Sequence, residues 1–166
     1  MADAVELLSS DNYDVTIGDI KDIIIKEVSG MSVDMSPKGA DNAIGSGPKG
    51  KSLVLSVPSQ PKYGEITLVL VPGAHQGGND DKLWEWYKDC ASKANLGEAA
   101  KARTLRKEMT INVYYSGSEG KVGLTYSFVG VLPNSFDVPK RDAGSSELET
   151  WTLKLNYERM KFTVSA

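Results

Sequence analysis

The sequence predicts an α+β fold that is mostly β: an antiparallel β-barrel or sandwich with one flanking α-helix. Three observations predict it. Segment after segment alternates apolar and polar residues with the period of a strand. Glu149–Tyr157 shows this most plainly, with Trp151, Leu153, Leu155 and Tyr157 pointing one way and Thr150, Thr152, Lys154 and Asn156 the other. One stretch, beginning near Asp81, repeats its apolar residues at helical spacing. A length of 166 residues, 40% of them apolar, suffices for a single domain over 1–166 with its own core.

Met1–Asn12 reads as a polar N-terminal arm with a short apolar bit at Val5–Leu8. Tyr13–Ile17 and Ile20–Val28 alternate as strands around a hairpin turn at Gly18-Asp19, and Ser29-Gly30 ends the second. Met31–Gly50 is rich in Gly, Pro, Ser, Lys and Asp, which predicts a long loop or an extended hairpin tip. A loop of that length in a small domain is usually functional or interfacial. Lys51–Val57 and Tyr63–Val71 are strands separated by the Pro58–Pro61 break, and Pro72-Gly73 closes the second.

Asn79 or Asp80 is placed to cap a helix from Asp81, with acids at its positive end. Leu83, Trp86, Tyr87, Cys90 and Ala94 make one apolar stripe, opposite Lys82, Glu85, Asp89 and Lys93, and Gly97 is a stop signal. Gly97–Arg103 reads as a helical turn or a loop. Leu105–Tyr115, with Met109, Ile111, Val113 and Tyr115 on one face, and Val122–Leu132 are strands joined by the Ser116–Gly120 turn. A kinked connection through Pro133 then leads to a final strand that runs almost to the C-terminus. A strand pair this long needs partners along both edges, so the chain reads as a subunit of a larger assembly.

Composition excludes several functions. The net charge of −3 argues against a dedicated nucleic-acid binder. No apolar run is long enough to span a bilayer. The acidic N-terminus lacks the positive region of a signal peptide. With Cys90 as the single cysteine there is no disulfide framework, which fits synthesis in a reducing cytoplasm.

The chemistry of a catalytic site is missing as well. Gly45–Ser52 (GSGPKGKS) matches the phosphate-binding P-loop pattern, but that loop needs a strand before it and a helix after it. Here Leu53, Leu55 and Val57 alternate and Pro58 follows, so the match reads as a flexible Gly/Lys loop. His75 sits in a turn sequence, and one His with one Cys cannot assemble the usual zinc sites. Cys90, on the apolar helix face, reads as an inert thiol. Asp80, Asp81, Glu147, Glu149 and Glu158 are scattered rather than paired. Trp86 reads as core and Trp84 as the edge of the stripe. No cofactor is expected.

Four blocks resemble one known family. LWEWYKDC (Leu83–Cys90) resembles the helix signature of the tail tube proteins of contractile-tailed phages and related extracellular injection systems, and it follows an I-T-L strand, Glu65–Leu68. IIIKEVSGM (Ile23–Met31) resembles their early strand, GVLPNSF (Gly130–Phe136) their Pro kink, and ELETWTLKLNYE their closing strand. The blocks keep family order from Ile23 to Glu158. The segment VLVPGAHQGGNDD and the insert Asn95–Arg106 are longer than the family's pattern.

The resemblance implies that six copies form a ring, and that rings stack into a hollow tube inside a contractile sheath. Strands from all six would complete a continuous inner barrel, which removes exposed edges. Met31–Gly50 then becomes a ring-to-ring contact, with Lys38, Asp41, Asn42, Lys49 and Lys51 as candidates. The lumen candidates are the polar faces: Thr110, Asn112, Thr125, Ser127, Thr152, Lys154, Asn156 and Glu158. The helix face Lys82, Glu85, Asp89 and Lys93 is the candidate sheath contact. Implied partners are the sheath protein, baseplate or initiator and terminator proteins, and DNA or protein cargo that passes without specific nucleic-acid binding. The product would be assembled, after synthesis in a bacterial cytoplasm, into a virion tail or a phage-tail-like particle. The alternative is a secreted ring-forming carrier that binds cargo in its lumen. A small-ligand barrel or enzyme has no convergent polar site to support it.

Overall fold

Alternation fixes which face of each strand is apolar, and the pairing of those faces builds the fold. The computed structural model describes residues 8–35, 37–39, 46–47, 51–52, 56–58, 60–73, 78–95, 102–115, 120–139 and 148–165. The elements are β1 (Leu8–Ile17), β2 (Ile25–Ser29), β3 (Val33–Asp34), β4 (Pro37–Gly39), β5 (Ser46–Gly47), β6 (Lys51–Ser52), β7 (Ser56–Pro58), β8 (Lys62–Tyr63) and β9 (Glu65–Leu70). After them come α1 (Asn79–Asn95), α2 (Ala102–Leu105), β10 (Lys107–Tyr115), β11 (Val122–Asp137), β12 (Trp151–Asn156) and β13 (Arg159–Val164).

A seven-stranded antiparallel sheet curls into a half-barrel. Strand β11 is its spine. The first half of β11 pairs with β10 on one side and β13 on the other, and its second half pairs with β12. This gives two arms, β1-β10-β11-β13 and β11-β12-β9-β2. Representative registers are Ile111↔Tyr126 in the first arm and Leu155↔Ile66 in the second.

The apolar faces of both arms meet in one core. Val15, Ile17, Met109, Ile111 and Phe128 come from the first arm, and Ile66, Leu68, Leu70, Leu153 and Leu155 from the second. Leu83 and Trp86 of α1 close it, while Tyr87 is half-buried and Cys90 packs against its margin. Each fully buried aliphatic side chain contributes about 1.5–3 kcal/mol, so this cluster supplies the main driving force. The Trp86 indole donates to the Leu105 carbonyl at 2.7 Å, which fastens α2 to α1.

Two glycines make the bends. Gly130 (φ +74°) turns β11 from one arm to the other, and a Cβ there would lie 2.6 Å from the Glu158 carboxylate. The Glu158 amide donates to the Val129 carbonyl at 3.0 Å and holds the crossing. Gly30 (φ +81°) ends β2, and a Cβ there would overlap the Glu65 carbonyl oxygen. Both positions need the left-handed conformation that glycine adopts without strain.

Several boundaries differ from the sequence reading. Strand β1 begins at Leu8, so Leu8–Asn12 of the expected arm joins the sheet. The turn at Gly18-Asp19 closes only an Ile17↔Ile20 bridge, and β1 and β2 sit at opposite ends of the strand order. Asp22 at φ 56° breaks the expected Ile20–Val28 strand, which leaves Ile25–Ser29. The described parts of the expected Met31–Gly50 loop supply β3, β4 and β5, which pair with β8, β7 and β6 as short ladders of an extended hairpin. The expected Lys51–Val57 strand supplies β6 and the start of β7, and 53–55 lie outside the described residues. Leu105 is the last residue of α2, because its carbonyl is held by Trp86, and the strand starts at Lys107. The Pro133 kink is a register shift inside β11, not a connection between strands. The closing strand is split by Tyr157-Glu158 into β12 and β13 where the sheet turns its corner.

Candidate functional site

The polar face of the first arm forms continuous rows. Pairing sets Asp14, Asn112, Thr125 and Thr163 side by side, and Thr16, Thr110, Ser127 and Lys161 in the next row. The Thr125 hydroxyl donates to the Asn112 side-chain carbonyl at 3.0 Å, which orients both. Thr110, Asn112, Thr125 and Ser127, singled out from sequence, are thus brought together. Asp14, Thr16, Lys161 and Thr163 complete the rows and were missed. The alternation in Tyr13–Ile17 contained the signal for the first two. The signal for the last two depended on seeing β13 as a strand of its own.

Thr152, Lys154 and Asn156 lie on the other arm, opposite Val69, Thr67 and Glu65, on the face turned from the core. Lys154 Nζ stands 3.7 Å from Glu65, which also accepts from the Asn134 side chain. Glu158 belongs to neither row: it pairs with Arg106 at 2.5 Å over Gly130. The lumen candidates therefore fall on two surfaces that share only β11 between them.

The first arm ends on both sides in open strand edges. Among the described residues β1 pairs only with β10 in the sheet, and β13 only with β11. On the core side of β13, Phe162 (66% exposed) and Val164 (64%) stand in water. Apolar side chains that continue a core face past a free edge mark a contact site. Tyr13 and Tyr114 lie beside Glu27 and Asp14, and burial first, then the neighbouring carboxylate, pushes both phenols above their ordinary value. Burial does the same to Tyr157, whose hydroxyl donates to the Ser32 carbonyl at 2.6 Å. At the first turn, the ion pair with Lys107 holds the Asp19 carboxyl below its usual range.

On α1, Lys82, Glu85 and Asp89 are exposed, while the side chain of Lys93 lies outside the described residues. Lys82 Nζ donates to the Asn79 side-chain oxygen at 3.3 Å. The proposed capping residues reach across to other segments. The Asn79 amide donates to the Lys21 carbonyl, and Asp80 accepts the Gly73 N–H at 2.6 Å. Trp84 stacks on Tyr87 (5.6 Å between centroids) and tilts against Phe136 (5.2 Å), which in turn meets Trp151 (5.4 Å). Lys88 sits 5.9 Å from the Trp84 ring, within reach of a cation–π contact. Trp84, at the edge of the stripe, thus covers its neighbours Tyr87 and Phe136 as part of an aromatic surface.

Lys38 and Lys51 lie on the extended hairpin, in β4 and β6, whereas Asp41, Asn42 and Lys49 lie outside the described residues. The P-loop-like segment contributes Ser46–Gly47 and Lys51–Ser52, which pair with each other as a ladder. A strand ladder points its groups differently from a loop curled around phosphate and opening a helix. His75 and Glu147 lie outside the described residues, and Glu149 accepts from the Trp151 indole at 3.2 Å. Among the described residues no three His, Cys, Asp or Glu side chains converge as a metal site.

Residues 9–161 match the family model of the T4-like virus tail tube protein gp19. No curated protein matches the chain. Among solved structures, a chain of the PVC sheath-tube complex, from an extracellular contractile injection system in the extended state, is similar at 18% identity. The match covers 96% of this chain and 93% of that one, with TM-score 0.70. A chain of the anti-feeding prophage cap (AFP tube terminating cap) is similar at 17% identity, with 99% and 100% covered and TM-score 0.71. Hcp1 from Flavobacterium johnsoniae is similar at 14% identity, with 93% and 96% covered and TM-score 0.54. At these identities the solved structures establish the fold.

Proposed function

Since the chain belongs to the T4-like virus tail tube protein gp19 family and is a structural subunit of the inner tube of a contractile injection machine, we propose that six copies close into a ring through the open edges of the first arm. The family is one of structural tube proteins, so the chain is no enzyme. The family match over residues 9–161 carries this conclusion.

The ring proposal rests on strand direction. Order and polarity in the first arm make β1 and β13 antiparallel to each other. A β1 edge meeting the β13 edge of the next copy would continue the same antiparallel ladder around the ring. Closure would satisfy both rows of unpaired backbone groups and cover Phe162 and Val164. The polar rows of the first arm would then line the lumen. They hold one acid, Asp14, and one base, Lys161, among Thr, Asn and Ser side chains. Such a wall suits transit of DNA or protein, because a basic wall would bind each passing phosphate and retard it. Thr152, Lys154 and Asn156, on the other arm, would face away from that lumen.

Related folds come from sheath-tube, terminator and baseplate assemblies of extracellular particles. This supports a sheath around the tube, baseplate and terminator proteins at its ends, and a phage-tail-like particle as the final location. The exposed charges of α1 would give the sheath a polar contact weak enough to release. No described helix is long and apolar enough to cross a membrane. The secreted-carrier alternative draws only on likeness of fold to Hcp1, and the family match favours the tube.

The test is negative-stain electron microscopy of the purified protein from dilute to concentrated, with and without baseplate components. Hollow rings and tubes are expected, and Phe162→Glu should leave monomers of unchanged secondary structure. Native protein that stays monomeric under every condition would overturn the tube proposal, and rings from Phe162→Glu would overturn the edge assignment.

A further inference from the structure

Backbone direction along the two open edges of the first arm limits how they can meet. Successive residues of a strand turn their N–H and C=O groups to opposite sides. The Gly18 amide donates to the Glu108 carbonyl at 2.7 Å, so Thr16 and Asp14 also turn toward β10. Ile17 turns outward, and there Ile17 and Ile20 exchange both of their hydrogen bonds at 2.9 Å. The next outward groups on β1 are those of Val15 and Tyr13. On the other edge, the Ser165 amide donates to the Gly123 carbonyl of β11 at 3.0 Å, so Thr163, Lys161 and Arg159 also turn toward β11. Met160, Phe162 and Val164 therefore turn their backbone groups to the open side of β13.

Charge is divided unevenly across the polar face of this arm. Among the described residues its acids, Asp14 and Glu108, lie on β1 and β10, and its bases, Arg159 and Lys161, lie on β13. The Tyr114 phenol hydrogen-bonds the Asp14 side chain and holds it on that face.

We propose that β1 of one copy meets β13 of the next in a single register, with Val15 opposite Met160, Asp14 opposite Lys161 and Tyr13 opposite Phe162. The inference rests on the inner-tube reading and adds to it the register of the ring joint and the ion pair that marks it. Val15–Met160 and Tyr13–Phe162 become hydrogen-bonded pairs and fill the outward groups of both strands. Between them Asp14 and Lys161 form a non-hydrogen-bonded pair, whose Cα atoms stand about 4.5 Å apart with the side chains close. Phe162, 66% exposed in the single chain, gains the half-buried Tyr13 as a cross-strand aromatic partner.

Neighbouring registers fail on the same observations. A shift of two residues one way sets Met160 against Ile17, whose groups are already bonded to Ile20, and Asp14 against Thr163. A shift of two the other way sets Asp14 against Arg159 but Val15 against Glu158, whose amide already donates to Val129. The Val15 carbonyl would then be enclosed in the joint without a donor. A shift of one residue turns Phe162 onto the polar face.

Cysteine pairs in a Cys90→Ser background test the register. Asp14→Cys with Lys161→Cys is compared with Asp14→Cys joined to Thr163→Cys or to Arg159→Cys. Within one copy these strands lie three spacings apart, roughly 14 Å, too far for a disulfide, so every bond formed joins two copies. Rings are assembled under reducing conditions, checked by negative-stain electron microscopy, oxidised, and resolved on a non-reducing gel. The Asp14/Lys161 cysteine pair should link copies at least about tenfold faster than either comparison, whose thiols sit diagonally. Faster linking by a comparison pair overturns the register while leaving the ring intact. Rings that no pair links show that these edges do not meet. Charge exchange gives a second readout without cysteines. Asp14→Lys and Lys161→Asp should each lower the ring fraction at least about tenfold with secondary structure unchanged, since every joint then opposes like charges. Both changes in one chain should restore the rings. Native ring yield from either single variant, or no recovery in the double variant, overturns the ion pair and the register with it. Native protein that forms no rings under any condition sinks the inner-tube reading instead, and that result is visible before any variant is made.

Discussion

Alanine at Gly30 should cost more stability than alanine at Gly130, although both glycines have nearly the same backbone conformation. At φ +81° and +74° each substitution carries left-handed strain of about 1–2 kcal/mol. The difference lies in what the new methyl meets. At Gly30 it overlaps the backbone carbonyl of Glu65, with Ile66 Cα at 3.6 Å. That carbonyl opens β9, which is paired with β12 and β2, and the neighbouring Gly64 amide donates to Ser32 at 2.9 Å. Relief requires moving a central strand, and overpacking of that kind adds about 1–3 kcal/mol. The total is about 2–5 kcal/mol.

At Gly130 the methyl meets only the Glu158 side chain, at 2.6–2.8 Å. That side chain is 55% exposed and can swing into water, losing its bridge to Arg106. An exposed bridge is worth about 0–1 kcal/mol, so the total stays at about 1–3 kcal/mol. Urea unfolding followed by circular dichroism, at a concentration below assembly, measures both, provided the m-value is unchanged. Glu158→Ala in the Gly130→Ala background should leave only the strain. Equal losses at the two glycines, or a larger loss at Gly130, would show that the Glu65 carbonyl does not constrain this bend.

Leu155→Ala should lose about 2–5 kcal/mol, because the side chain is fully buried between the arms, and Leu155→Asp should not fold. A soluble, cooperatively melting Leu155→Asp protein would mean that the apolar face of β12 is assigned backwards. Trp86→Phe should cost about 1–3 kcal/mol by leaving the Leu105 carbonyl without its indole donor, read in the same urea titration. The raised phenols of Tyr13, Tyr114 and Tyr157 make stability fall with alkali. A folded-state value above the unfolded one, about 10, favours the neutral form. The stabilisation is therefore complete below that pH and is lost as pH rises through the folded values. Tyrosinate absorbance in the near ultraviolet should show late tyrosine ionisation coinciding with unfolding. Ionisation of all tyrosines at the ordinary value with the fold intact would contradict it.

Much of this protein is legible in the chain alone, because a two-residue period needs no knowledge of neighbours. The alternation of Trp151, Leu153, Leu155 and Tyr157 and the stripe of Leu83, Trp86, Tyr87 and Cys90 mark core faces wherever those elements end up. The motif blocks from Ile23 to Glu158 point to the tail tube family for the same reason, since each is a short local stretch centred on one element. What the sequence left open was long-range. Nothing local tells Gly18-Asp19 that β2 will join the far end of the sheet, or tells Lys154 and Thr125 that they will lie on different arms. The split of the closing strand into β12 and β13 follows from the corner that β11 makes at Gly130, and that corner exists only once both arms share a core. The open edges behave likewise: β1 and β13 are far apart in sequence, and only their pairing with β10 and β11 leaves them as the two edges of one arm. Local periodicity decides which face of a segment seeks burial, whereas non-local pairing decides which faces remain to be buried by another copy.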